Sequence, residues 1–289
     1  MAKPLPIDDF RAIRIILESD DFALTDGKPD VASDLVDEET WRHIMMLPDD
    51  VSVRTSNHHG KLIRKLNVLN GLWVEYTSGY DEDIKDILQE VLIHIMDELD
   101  AFLFIALHGY YRQAIGCLRN ILELVLCGTL WHITDNKAEF EQWNAGRKQM
   151  SFSATCENLS RNARIQSLEL YLREMFNDSL FDKNNKNPDD QGWVRRLYSE
   201  LCLYSHSRPN FTNADMWQSN GPIYRAGLFK RTYLLYYDVT ALYYLLIKLA
   251  KPDFTLPDEI KTLFRSSIRR SSEVPYEAYK FLFGRSRKK

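Results

Sequence analysis

Apolar residues recur along most of this chain at the three- and four-residue steps of an α-helix, and the two-residue alternation of a β-strand is nearly absent. Lys61 to Tyr76 (KLIRKLNVLNGLWVEY) carries the helical pattern and is closed by Thr77, Ser78 and Gly79. Asp81 to Leu107 reads as a second helix. It opens on three acids, the sign favoured by the positive end of a helix dipole, and continues with Ile84, Ile87, Leu88, Val91, Leu92, Ile95 and Leu99. His108-Gly109 interrupts it, and a third helix runs from Tyr110 to Trp131. Shorter helices are expected from Asp135 to Phe140, Ile165 to Phe176 and Arg195 to His206, and a long one from Gly227 to Ala250. The polar stretch 182–191 (DKNNKNPDDQ) is a loop, Pro209 ends the Arg195 helix by excluding helical angles from the residue before it, and 210–224 reads as irregular.

The expected fold is therefore all-α: an up-and-down helical bundle with long central helices and an N-terminal extension of short helices. The pattern divides the chain into an acidic extension at 1–60, with helical pieces at Phe10 to Leu17 and Glu38 to Met46, a bundle core at 61–255, and a basic tail at 256–289. No repeat of 20–50 residues is visible.

Two of these helices concentrate their polar residues on one side. Between Tyr110 and Trp131 the only charges are Arg112, Arg119 and Glu123, which at about 100° per residue fall within about 60° of one another. A helix apolar nearly all round belongs inside a fold, so its charges must find partners there or line a cavity. In the Arg195 helix, Arg195, Ser199, Cys202 and His206 form one stripe, with Leu197, Leu201 and Tyr204 on the other side. Asp238 is the only acid of the long C-terminal helix, and Arg231 points the same way. These placements lead us to expect Glu123 and Asp238 to face Arg112, Arg119 and His206 where three helices meet, with Arg195 on the same polar side. Such a cluster could be an ion-pair network fixing helix register, a phosphate or nucleotide site built on the arginines, or a catalytic site with His206 as acid or base.

Charge and cysteine usage narrow the classes. The net charge of −4 divides into +7 over residues 261–289 and −11 over the remainder, so the tail is suited to phosphate, to an acidic partner or to the protein's own acidic body. The four cysteines lack metal-type spacing and read as free thiols of a cytoplasmic protein. The N-terminal residues lack a secretory apolar run. Tyr233 to Leu249, the nearest approach to a membrane span, is short and has Asp238 near its middle, so no membrane is expected. His58-His59 has no carboxylate or cysteine three or four residues on and reads as an exposed loop pair rather than a metal site. No phosphate-gripping glycine loop, G-x-S-x-G or H-E-x-x-H motif occurs, so neither metal nor cofactor is expected.

The pairing of R-N-x-x-E (Arg119, Asn120, Glu123) with a later Y-x-x-L-x-x-Y-x-H (Tyr198, Leu201, Tyr204, His206) resembles bacterial helical proteins related to the HEPN superfamily, over about residues 81–250. The resemblance implies a four- or five-helix bundle, often dimeric, of prokaryotic toxin and antiviral defence systems, in which many members are metal-independent RNases and others only bind. It would give His206, Arg119 and Glu123 catalytic roles and leave Arg112, Arg195 and Asp238 to hold RNA or a nucleotide. The R-x4-6-H motif of the active RNases is not met in the Arg195 helix, where Arg195 and Arg196 precede His206 by 11 and 10 residues. Arg54-x4-His59 has the spacing but lies ahead of the bundle. The alternative is a non-catalytic interaction module, a dimer or a complex subunit, in which the same charges serve structure alone.

Overall fold

In a computed structural model, which describes residues 44, 46–78, 86–181, 191–205, 222–256, 258, 261 and 273–284, nine α-helices and no strand occur among the described residues. They are α1 (Leu47–Ser78), α2 (Ile87–Leu107), α3 (Tyr111–Thr134), α4 (Lys137–Asn144), α5 (Phe152–Ser160), α6 (Ala163–Phe176), α7 (Trp193–Ser205), α8 (Ala226–Ala250) and α9 (Glu273–Phe283). The expected all-α bundle is thus observed. The piece at Phe10 to Leu17, the piece at Glu38 to Met46 apart from Ile44 and Met46, the loop at 182–190, residues 206–221 and most of the basic tail lie outside the described residues.

Helix α3 is the axis around which the others are arranged. It packs on α2, α8, α7, α5 and α4, and its buried face runs from Tyr111 through Leu118, Leu122 and Val125 to Trp131. Burial of each such leucine-sized side chain contributes about 1.5–3 kcal/mol. The short link at 108–110 folds α2 back on α3, and Asn120 meets Glu98 at one level while His132 meets Asp86 further along, as antiparallel helices require. At Gly128 the two helices approach closely: a Cβ there would lie 2.9 Å from Val91 Cγ1.

The remaining directions follow from paired contacts. Arg112 reaches Tyr204 while Arg119 reaches Tyr198, so α7 runs antiparallel to α3. Arg225 N donates to Tyr111 Oη at one end of α8, and Lys251 shares Asp86 with His132 at the other, so α8 runs parallel to α3. His59 stacks on Phe229 and Tyr244 Oη donates to the carbonyl of Leu69, making α1 parallel to α8. Three long helices therefore run one way and α2 and α7 the other.

Two polar devices fix the ends. Asp86 is the N-cap of α2, accepting from Leu88 N at 3.0 Å, and it also pairs with His132 of α3 at 3.2 Å and with Lys251 just past α8. Burial alone would raise its carboxyl, but hydrogen bonds from His132 and Lys251 outweigh burial and hold it well below the usual carboxylate range. Glu169 of α6, 5% exposed, accepts from the backbone N–H groups of Leu180 and Phe181 and anchors the approach to α7.

Helix α1 begins earlier than its sequence pattern predicts. It runs through residue 60, the expected end of the extension, with a kink at His59, whose angles are not helical (φ −128°, ψ 17°). The histidine pair therefore lies at the kink within α1 rather than in a loop ahead of the bundle. His58 is exposed, but His59 is buried against Phe229 and contacts Tyr224 Oη at 3.2 Å. Helix α3 is also the one described helix long and apolar enough by composition to cross a membrane, and two thirds of its most apolar stretch is buried in the protein.

Candidate functional site

Residues one helical turn apart face the same way, and on α3 this brings Arg119 and Glu123 together: Arg119 Nη2 donates to Glu123 Oε1 at 2.9 Å. Tyr198, projecting from α7, closes the group. Its hydroxyl accepts from Arg119 Nη2 at 3.1 Å and donates to Glu123 Oε1 at 2.8 Å, and its ring stacks on Phe152 of α5 with centroids 3.6 Å apart. Burial, followed by the Glu123 carboxylate, pushes the Tyr198 hydroxyl up to about 12 against the opposing pull of Arg119. Burial lowers the Arg119 guanidinium, but Tyr198 and Glu123 more than offset this and leave it above its ordinary value.

This trio is not sealed in the core. The Arg119 and Glu123 side chains are 31% and 35% exposed, and they line a cleft of about 610 Å³ whose wall includes Asn120, Trp143, Lys148 and Phe152. Within it Asn120 Nδ2 donates to Glu98 Oε1 at 3.1 Å, and Lys148 pairs with Glu139 at 2.5 Å. Arg119 Nε is buried and has no hydrogen-bond partner among the described residues. A second cleft of about 600 Å³, lined by His94, Asp97, Glu98, Ala101, Leu124, Trp143 and Asn144, lies alongside and shares Glu98, Leu124 and Trp143 with the first.

The other expected site residues are dispersed. Arg112 is half-buried two turns before Arg119, about 10 Å along the axis at 1.5 Å per residue, and its Nε donates to the carbonyl of Tyr204 at 2.8 Å. Arg195 reaches Ser153 Oγ at 3.3 Å. Asp238 is half-buried on α8 and lines neither cleft, while Arg231 pairs with Glu200 of α7. His206 lies outside the described residues. The polar stripe of α7 faces outward: Ser199 is exposed and Arg195 and Cys202 are half-buried, whereas Leu197, Leu201 and Tyr204 are buried. Of the residues expected in the cluster, the described contacts bring together Arg119 and Glu123, joined by Tyr198 of α7.

Sequence reading does not single out Tyr198, Phe152, Glu98, Trp143 or Lys148 as site residues. Tyr198 and Asn120 do belong to the two short motifs; the others carry no local signal, because helix packing alone brings them to the cleft. All four cysteines are free, and burial first of all pushes Cys127, on the cleft wall, up to about 11. Among the described residues no group of three or more metal-ligating side chains could hold a metal ion. No family model, curated protein or solved structure matches the chain.

Proposed function

We propose that the protein binds RNA or a nucleotide, with the base held in the cleft beside Arg119, in keeping with its HEPN-like motifs. The observation that carries this reading is the Arg119 guanidinium: two partners hold it in place at the wall of a cleft large enough for a nucleoside, and its Nε is left without an acceptor among the described residues. Two carboxylates (Glu98, Glu123) and two cations (Arg119, Lys148) make the lining close to neutral. That balance suits an uncharged heteroaromatic ring, edged with donors and acceptors, better than a polyphosphate. Phe152, half-buried and backed by Tyr198, supplies an aromatic surface for stacking. Lys148 of the lining, paired with Glu139, and the exposed Arg147 next to it in sequence are the cations available to the sugar–phosphate portion.

Binding is tested by titrating the full-length protein with adenosine monophosphate and with a labelled single-stranded RNA. Arg119→Ala and Phe152→Ala should each weaken both ligands about tenfold or more, with little change in helical content. Normal affinity in both variants would overturn the assignment of the cleft.

The narrower form of the proposal is metal-independent RNA cleavage, with His206 transferring a proton and Arg119 and Glu123 setting the local charge. It requires cleavage in the presence of a chelator that His206→Ala abolishes while RNA binding persists. A second reading, a non-catalytic interaction module, is favoured by the way Glu123 Oε1 satisfies both Arg119 and Tyr198. It predicts that Arg119→Ala lowers stability and that no nucleotide binds the parent protein.

A further inference from the structure

The two clefts share the wall made by Glu98, Leu124 and Trp143, and each is about 600 Å³. From this we infer that the ligand is a single strand presenting two successive bases, one on either side of Trp143, and that the second base must carry an exocyclic amino group. The inference rests on the nucleotide reading of the first cleft. An aromatic side chain intruding between neighbouring bases of an unstacked strand is a common device, because the backbone can hold the bases apart at little cost. Trp143 is held by its neighbours: Trp131 and Phe140 lie with centroids 5.3 Å and 6.0 Å from it, and the ring of His94, a residue of the second cleft, meets it edge-on at 5.9 Å.

The lining of the second cleft sets the preference. Asp97 and Glu98 offer only acceptors when ionised, Asn144 and the His94 ring are the two lining side chains able to donate, and no lysine or arginine contributes. A phosphate is repelled there, and the uracil edge, with two carbonyls around one imino group, finds mostly like polarity. Cytosine, adenine and guanine present amino hydrogens to the carboxylates, the pairing that acidic side chains make with cytosine N4. The first cleft contains Arg119, Lys148 and Asn120 as donors and lacks this bias.

The test compares uridine monophosphate with uracil-containing dinucleotides whose other base is cytosine or uracil, in both orders, on the full-length protein by calorimetry, the constant uracil having no amino group of its own to offer the second cleft. The cytosine dinucleotide in one order should bind about tenfold tighter than the mononucleotide, and the uracil one no tighter than the mononucleotide. Ala101→Trp, which fills the second cleft, should bring the dinucleotide-to-mononucleotide ratio down to about 1. Asp97→Asn, which adds a donor, should narrow the cytosine-to-uracil ratio to within about threefold. A mononucleotide that binds with no gain from either dinucleotide overturns this inference and leaves the first-cleft reading standing. Equal gain from cytosine and uracil overturns the amino-group preference. Failure of every mononucleotide, dinucleotide and RNA to bind removes the nucleotide reading itself, and this inference with it.

Discussion

Replacing Asp86 should be the most damaging single polar change among the described helix ends, because one carboxylate caps α2 and pairs with groups at the ends of α3 and α8. Loss of the cap costs about 1 kcal/mol. Hydrogen bonds to an ionised group contribute about 1.5–3 kcal/mol. His132 and Lys251 are each 25% exposed and can regain water when abandoned, so the full penalty of an orphaned buried charge does not apply. Asp86→Ala should therefore cost about 2–4 kcal/mol. Asp86→Asn, which keeps a capping oxygen, should cost about 1–2 kcal/mol. The sign of the pH dependence follows from the depressed carboxyl: its stabilisation is complete above the unfolded value near 4 and drains as pH falls from there towards the lower folded value. Urea melts followed by circular dichroism should show the gap between the parent and Asp86→Asn constant from about pH 7 to pH 5 and shrinking by pH 3. A gap that is absent at pH 7, or that holds or widens on acidification, would refute the reasoning.

Three further outcomes are expected. Tyr198→Phe removes the hydroxyl shared by Arg119 and Glu123 and should cost about 1–2 kcal/mol; in a double-mutant cycle with Glu123→Gln the coupling should reach about 1 kcal/mol, and additive melts would contradict the trio. Gly109→Ala should destabilise by about 2 kcal/mol or more in the same melts, since Gly109 has φ +84° and a Cβ would lie 2.6 Å from the Ile223 carbonyl oxygen; a neutral result would mean that the turn can relax. Burial pushes the thiols of Cys127 and Cys156 up to about 11 and about 12, so at pH 8 no more than about one in a thousand is thiolate. Mass spectrometry should find both unlabelled by iodoacetamide in the native protein and alkylated in urea.

The helices are legible in the sequence wherever buried positions are apolar, as in α2, α3, α6 and α8. The start of α1 is not, because its inward positions every fourth residue are Val51, Thr55 and His59, and two of these three are polar. In the site, the Arg119–Glu123 pairing can be read from a four-residue step on one helix. Reading polar stripes as inward-facing misplaces Arg195 and Cys202, because amphipathic periodicity separates two faces without saying which one meets solvent until the apolar residues are counted; here Leu197, Leu201 and Tyr204 take the core. The cleft is invisible in the sequence, since it is assembled from α2, α3, α4, α5 and the 146–150 segment, which meet only after folding.

The bend at His59 has a practical consequence for dissecting the chain. A polypeptide started at residue 61 would not shed a detachable leader. It would amputate the first half of a helix whose Val51 and Thr55 are buried, and take away the side chains that Phe229 and Tyr224 grip. A deletion that reaches past the elbow should accordingly expose one flank of α8 and lower the stability of the bundle.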